Sequence, residues 1–235
     1  MAPPRLRGPR LDGILSARGI RGIIVLPLAD VRGPLDFPWE KYLVVATGYE
    51  LQAENINRVS INHFAAMRDA LLKIHSLGYA RPGLVLRAEG LHLAPDGFTY
   101  VNKLWKGSYL AEISKLIPTL RIPVIQLTDR QKLARWLRQF EPDVVISQHL
   151  ELRSFLPASH VDMPAAYTMV DVDPQLTGID QNSRHVGRHA VNLLVAGLHQ
   201  ENPTQRIVPV TVLVEPRWQT GTTAIGQRSA PATVT

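Results

Sequence analysis

Short, continuous apolar runs rich in β-branched residues recur along this chain, and longer stretches with apolar residues at helical spacing separate them. The runs are Gly22-Ile-Ile-Val-Leu-Pro27, Tyr42-Leu-Val-Val-Ala46, Val59–Ile61, Gly83-Leu-Val-Leu86, Pro123–Leu127, Asp143-Val-Val-Ile-Ser147, Ala166–Val170 and Ile207–Val214. A run this brief and this apolar reads as a strand buried on both faces rather than as a helix. Helices are expected over 11–18, 62–77, 98–117, 129–140 and 183–199. Phe64, Met67, Leu71, Leu72 and Ile74 form one apolar stripe; Leu104, Tyr109, Leu110 and Ile113 form a second, and Leu133, Trp136 and Leu137 a third. Asn62 and Ser183 are suitable N-caps, and Gly19 and Gly78 suitable stops. Strands alternating with helices of this length define an α/β fold with parallel sheets. The 235 residues allow one large domain or two lobes.

Composition removes several classes of function. There is no cysteine, so disulfides, thiolate metal sites and thiol nucleophiles are excluded. The longest apolar run, Ile23–Ala29, is too short to span a membrane, and no apolar core of a signal peptide follows the basic start. A soluble cytoplasmic protein with no membrane partner is the expectation. No two of the 16 glycines are two apart, which rules out G-x-G-x-x-G, and no Gly-Lys dipeptide exists to build a P-loop. G-x-S-x-G and H-E-x-x-H are also missing. The net charge of +6 sits mainly in the first 32 residues, where six Arg face two Asp. A basic end can touch phosphate, but a solvated terminus explains it as well.

Three groups of residues could carry chemistry. His185 and His189 share a helix face with Arg188, Asn192 and His199. The neighbouring arginines oppose a divalent cation, so a solvated polar stripe is the better reading, and neither a metal nor a cofactor is expected. Asp171 and Asp173 directly follow the run Ala166–Val170. Acids at the carboxyl end of a parallel strand lie where open α/β sheets bind ligands; a turn with Pro174 accounts for them equally. Trp105, between Lys103 and Lys106, could be a stacking platform for a sugar or base, or a half-buried packing residue.

The order of elements points further. Arg58-Val-Ser-Ile-Asn-His-Phe64 leads through a helix to Leu77-Gly-Tyr-Ala-Arg-Pro-Gly-Leu-Val-Leu86; Ala17-Arg-Gly-Ile-Arg-Gly-Ile-Ile-Val25 precedes it. Gly107-Ser-Tyr109, Pro142-Asp-Val-Val-Ile146, Thr177-Gly-Ile-Asp-Gln-Asn182 with the helix 183–198, and Val208–Gly221 follow in turn. From about Leu11 to Gly221 this set resembles the sensor domain of the LacI/GalR family of bacterial transcription regulators.

The resemblance implies a two-lobe, periplasmic-binding-protein-like fold crossed three times by the chain, with a small effector, a sugar or related metabolite, between the lobes. One lobe would be residues 1–61 plus 179–206, the other 62–178 plus 207–222, and 223–235 a loose tail. It implies a homodimer, DNA contact only through a helix-turn-helix headpiece without counterpart here, and effector contacts from Tyr49, Trp105, His149, Asp171 and Asp180. No catalytic residue is implied. The sensor's opening strand–helix–strand also has no counterpart, so the resemblance implies that Met1 is internal to a longer regulator and that Gly22–Pro27 presents an open sheet edge, an aggregation hazard. Other departures alter the effector site. Leu104 stands where family members often have an arginine, and His149-Leu150 replaces an Asn-Asp pair. A stand-alone solute-binding module and an α/β enzyme lacking these signatures are the competing expectations.

Overall fold

The computed structural model describes residues 8–27, 36–51, 53–87, 99–160, 162–170, 173–199 and 208–226. The chain divides into two compact units, Met1–Ile61 with Ser183–Val214 and Asn62–Asn182 with Glu215–Thr235, and so passes from one to the other three times.

The first unit contains helix α1 (Gly8–Ala17), strands β1 (Gly22–Val25), β2 (Leu43–Thr47) and β3 (Asn57–Ile61), helix α6 (Ser183–Leu198) and strand β9 (Thr211–Val214). The strands form a parallel sheet in the order β1-β2-β3-β9. On one face α6 lays Ala190, Val186, Leu193 and Leu194 against Val45, Val59 and Val214. The approach is close: a Cβ at Gly197 would collide with the Leu43 side chain. On the other face Val44, Ala46, Leu51 and Ile56 pack with Trp39 and Tyr42. The Tyr42 hydroxyl donates to Asp12 Oδ1 at 2.8 Å, which fastens α1 to β2. Lys41 pairs with the same carboxylate at 2.8 Å and, with Tyr42, holds it below the usual carboxylate range. Among the described residues β1 is an edge strand whose four residues are all only partly buried, as expected for a strand with one neighbour. Val191 and Val195 on α6 and Leu213 on β9 also lie exposed.

The second unit carries α2 (His63–Ser76), β4 (Pro82–Arg87), α3 (Tyr100–Leu116), β5 (Ile125–Leu127), α4 (Arg130–Phe140), β6 (Val144–Ser147), the short α5 (Leu152–Phe155), β7 (Ala165–Tyr167), β8 (Gly178–Asp180) and β10 (Arg217–Gln219). Its sheet runs β10-β8-β7-β6-β4-β5, parallel throughout except for β10. Val85, Leu127, Val145 and Tyr167 from the strands pack with Leu133, Trp136 and Leu137 of α4. Met67, Leu71 and Ile74 of α2 and Trp105 and Tyr109 of α3 are also buried. The side chains of Asn62, Thr99 and Asp129 cap α2, α3 and α4 by accepting from the backbone N–H three residues on.

Several sequence expectations need correction. Residues 179–182 belong to the second unit, because β8 pairs with β7 and β10. Residues 208–214 belong to the first, because β9 pairs with β3. An apolar strand at the end of a chain fits either sheet, and only the pairing decides. Phe64, Leu72 and Leu110 were expected inward but are exposed, since the buried stripes of α2 and α3 are narrower than the apolar sequence pattern. The tail expected to be loose from residue 223 is bound at its start. The Thr223 carbonyl accepts from Ala165 N at 2.8 Å, Ala224 is buried, and the Tyr79 hydroxyl donates to the Ile225 carbonyl at 2.7 Å. The rest of that tail, and Phe98 at the expected start of α3, lie outside the described residues.

Candidate functional site

In a parallel sheet every carboxyl end lies on one rim, and that rim is where open α/β sheets hold ligands. In the second unit β4, β6, β7 and β8 bring Arg87, Ser147, Tyr167 and Asp180 to it, together with the residues that follow each strand. Gln148 Oε1 accepts from the Arg87 N–H at 2.8 Å, and Asn102 Nδ2, near the start of α3, donates to the Arg87 carbonyl at 2.9 Å. Asn102 is buried, held there as the residue whose N–H bonds the Thr99 cap at 3.2 Å. Gln181 Nε2 donates to the Thr168 carbonyl at 2.7 Å and joins the ends of β7 and β8. The rim is thus lined by a guanidinium and side-chain amides tied to the strand ends.

His149 follows β6 directly. Its main-chain N–H donates to Ser147 Oγ at 2.9 Å, which turns the chain at the end of the strand. The ring lies 6.1 Å from that of Phe155, and its Nε2 is buried without a hydrogen-bond partner. Burial, then the Arg87 charge, lowers its pKa below the ordinary 6.5. The imidazole is therefore neutral near pH 7. The Ser147 hydroxyl is engaged by the backbone of His149 and not by its ring, so this pair is not an activated nucleophile.

The other expected site residues fall in different places. Trp105 is only 1% exposed, and its ring meets that of His63 edge-on at 5.2 Å. It packs in the interior and offers no open face for stacking, because its position on α3 faces α2. Asp180 ends β8 on the rim, but its Oδ1 accepts from Asn182 N at 2.7 Å and shapes the turn into α6. Asp171 lies outside the described residues; the strand it follows ends at Tyr167 rather than at Val170. Asp173 accepts from Gln175 N at 2.9 Å, as a turn residue does. Tyr49 belongs to the first unit, two residues beyond β2, and is partly buried. His185 and His189 lie on α6, with His185 Nδ1 3.0 Å from the Arg188 guanidinium. Among the described residues no group of three potential metal ligands occurs. Arg87, Asn102, Gln148 and Gln181 were missed in the sequence. The signal was available for Arg87 and Gln148, polar residues at or just beyond the end of an apolar strand.

No family profile matches the chain, and no curated protein matches it in sequence. Solved structures do match. One is a transcription regulator-like protein from Staphylococcus haemolyticus, 15% identical with a TM-score of 0.64, over 93% of this chain and 80% of that one. A second is a LacI family transcriptional regulator from Enterococcus faecium with bound ribose, at 13% identity and TM-score 0.64, over 92% and 84%. A third is a periplasmic binding protein/LacI transcriptional regulator from Alkaliphilus metalliredigens complexed with D-xylulofuranose, at 16% and TM-score 0.58, over 92% and 82%. The fold is therefore periplasmic-binding-protein-like. More narrowly, it is the fold shared by LacI-type transcription regulators.

Proposed function

We propose that this chain is the effector-sensing region of a LacI/GalR-type transcription regulator and that its effector is a sugar or a closely related polyol. The observation that carries this reading is the rim of the second sheet. It gathers polar side chains at the strand ends, Arg87, Gln148 and Gln181, beside the neutral His149 ring, whose buried Nε2 has no hydrogen-bond partner among the described residues. Hydroxyl groups both donate and accept, and a set of mixed, mostly uncharged partners suits them better than it suits an anion or an apolar ligand. The ribose and D-xylulofuranose in two structures of this fold support the same ligand class. Asp171 and Tyr49 remain proposed contacts. The reading brings with it a cytoplasmic homodimer that contacts DNA through a helix-turn-helix headpiece. Among the described residues no helix is long and apolar enough to cross a membrane.

A thermal-shift panel of pentoses, hexoses and disaccharides on the purified chain tests this. Saturation at about 100 times Kd stabilises by about 2.7 kcal/mol, an upward shift of several degrees for a chain this long. His149→Ala is expected to abolish the shift while leaving the unliganded Tm within a few degrees. No response to any sugar in the panel would overturn the proposal.

A further inference from the structure

The chain enters or leaves the second unit at three places, between Ile61 and Asn62, Asn182 and Ser183, and Val214 and Glu215. The residues on the second-unit side of these connections are bonded to one another. Asn62 Nδ2 donates to Glu215 Oε1 at 3.1 Å, and Asn182 Nδ2 donates to the Glu215 carbonyl at 2.8 Å. Strand registers explain why they meet. Ile61 pairs with Val214 in the parallel β3–β9 ladder, so the next step of that ladder sets Asn62 beside Glu215. Asp180 pairs with Arg217 in the antiparallel β8–β10 ladder, so two steps beyond sets Asn182 across from Glu215. Glu215 lies at the junction of both registers. Asn182 is held ready by a left-handed backbone, φ 52°, which asparagine tolerates well, and by the hydrogen bond from its N–H to Asp180. Asn62 is held by its second role as the cap of α2, accepting from Ala65 N at 3.1 Å.

We propose that Glu215 is a clasp that makes the three connections one mechanical element, so that loosening one loosens all three. Its side chain holds the first connection, its carbonyl holds the second, and it begins the second-unit side of the third itself. Any rearrangement of the chain at these crossings then moves them together. The clasp does not depend on which effector is bound, or on whether one is.

The polarity of the Asn62–Glu215 bond makes the test clean. Asn62→Asp keeps an oxygen to cap α2, since aspartate caps as well as asparagine, but removes the donor and sets two carboxylates against each other. Glu215→Gln alone keeps the acceptor. In the double variant Asn62→Asp/Glu215→Gln the glutamine amide can donate to Asp, and the bond is remade in reverse. Hydrogen exchange on the full 235-residue chain is the readout. The expected result for Asn62→Asp is exchange at least about threefold faster at all three connections, including amides 182–184, which the substitution does not touch. Glu215→Gln is expected to match the parent, and the double variant to return most of the way to it. Faster exchange confined to residues 62–66, no change at all, or an effect the second substitution fails to reverse would overturn the proposal. If Asn62→Asp does not fold by circular dichroism, Glu215→Ala removes the same side-chain bond without adding charge and is read at amides 182–184 in the same way.

Discussion

His63 opens α2 with only 8% of its surface exposed, its ring edge-on to Trp105, and burial lowers its pKa from 6.5 to about 4. The folded chain therefore resists protonating it while the unfolded chain does not. Its contribution to stability is fully present above pH 6.5 and is lost as the pH falls toward 4, by about 3 kcal/mol in all. His149 is shifted in the same direction and steepens the loss. Urea unfolding of the parent and of His63→Gln between pH 4 and 7.5 checks this: the variant is expected to show a flatter dependence over that window. A histidine that packs in the interior is spelled in sequence like one that binds a ligand. His63 and Trp105 meet in the interior, 42 positions apart, and nothing beside either residue in the sequence marks that contact.

At the scale of elements, Thr99 connects helix formation to the rim. Its hydroxyl caps α3, and the residue whose N–H it accepts is Asn102, whose amide in turn holds the carbonyl of Arg87 at the end of β4. Thr99→Ala is expected to cost about 1 kcal/mol and Thr99→Ser little, measured by denaturant unfolding; the alanine variant is also expected to broaden NMR signals at Arg87. A different element constraint acts at the start of β8. Gly178 has φ 150°, and a Cβ there would run into the Tyr167 backbone. Gly178→Ala is therefore expected to lower Tm by several degrees or to prevent folding of the second sheet. Helices and strands were largely legible in the sequence, because apolar spacing and capping act over a few residues. The exposure of Phe64, Leu72 and Leu110 was not, because it depends on which neighbours cover each helix.

At the scale of the molecule, each unit has its own sheet and its own buried cluster, Val45 and Val59 with Ala190 in the first and Val145 with Tyr167 and Leu133 in the second. A cavity made in one core should weaken that unit first. Ile146→Ala, at a fully buried position in β6, is expected to cost about 2–5 kcal/mol and to raise hydrogen exchange across β4, β6 and β7 well before β2 and β3 respond. Val59→Ala should give the reverse pattern at smaller size. Equal acceleration in both units would show one cooperative core instead.

By itself the sequence determined the α/β class, the alternation of strands and helices, and the Asn62 cap of α2, since these follow from spacing over a few residues. Tertiary structure alone decided which sheet each strand joins, so β9 went to the first unit and β8 to the second, against the division expected. It also decided that Trp105 is interior, that Asp180 shapes a turn, and that Asn62, Asn182 and Glu215 meet. The reason is the same in each case: hydrogen-bond register and burial depend on residues up to 153 positions apart, and no window of the chain holds both partners.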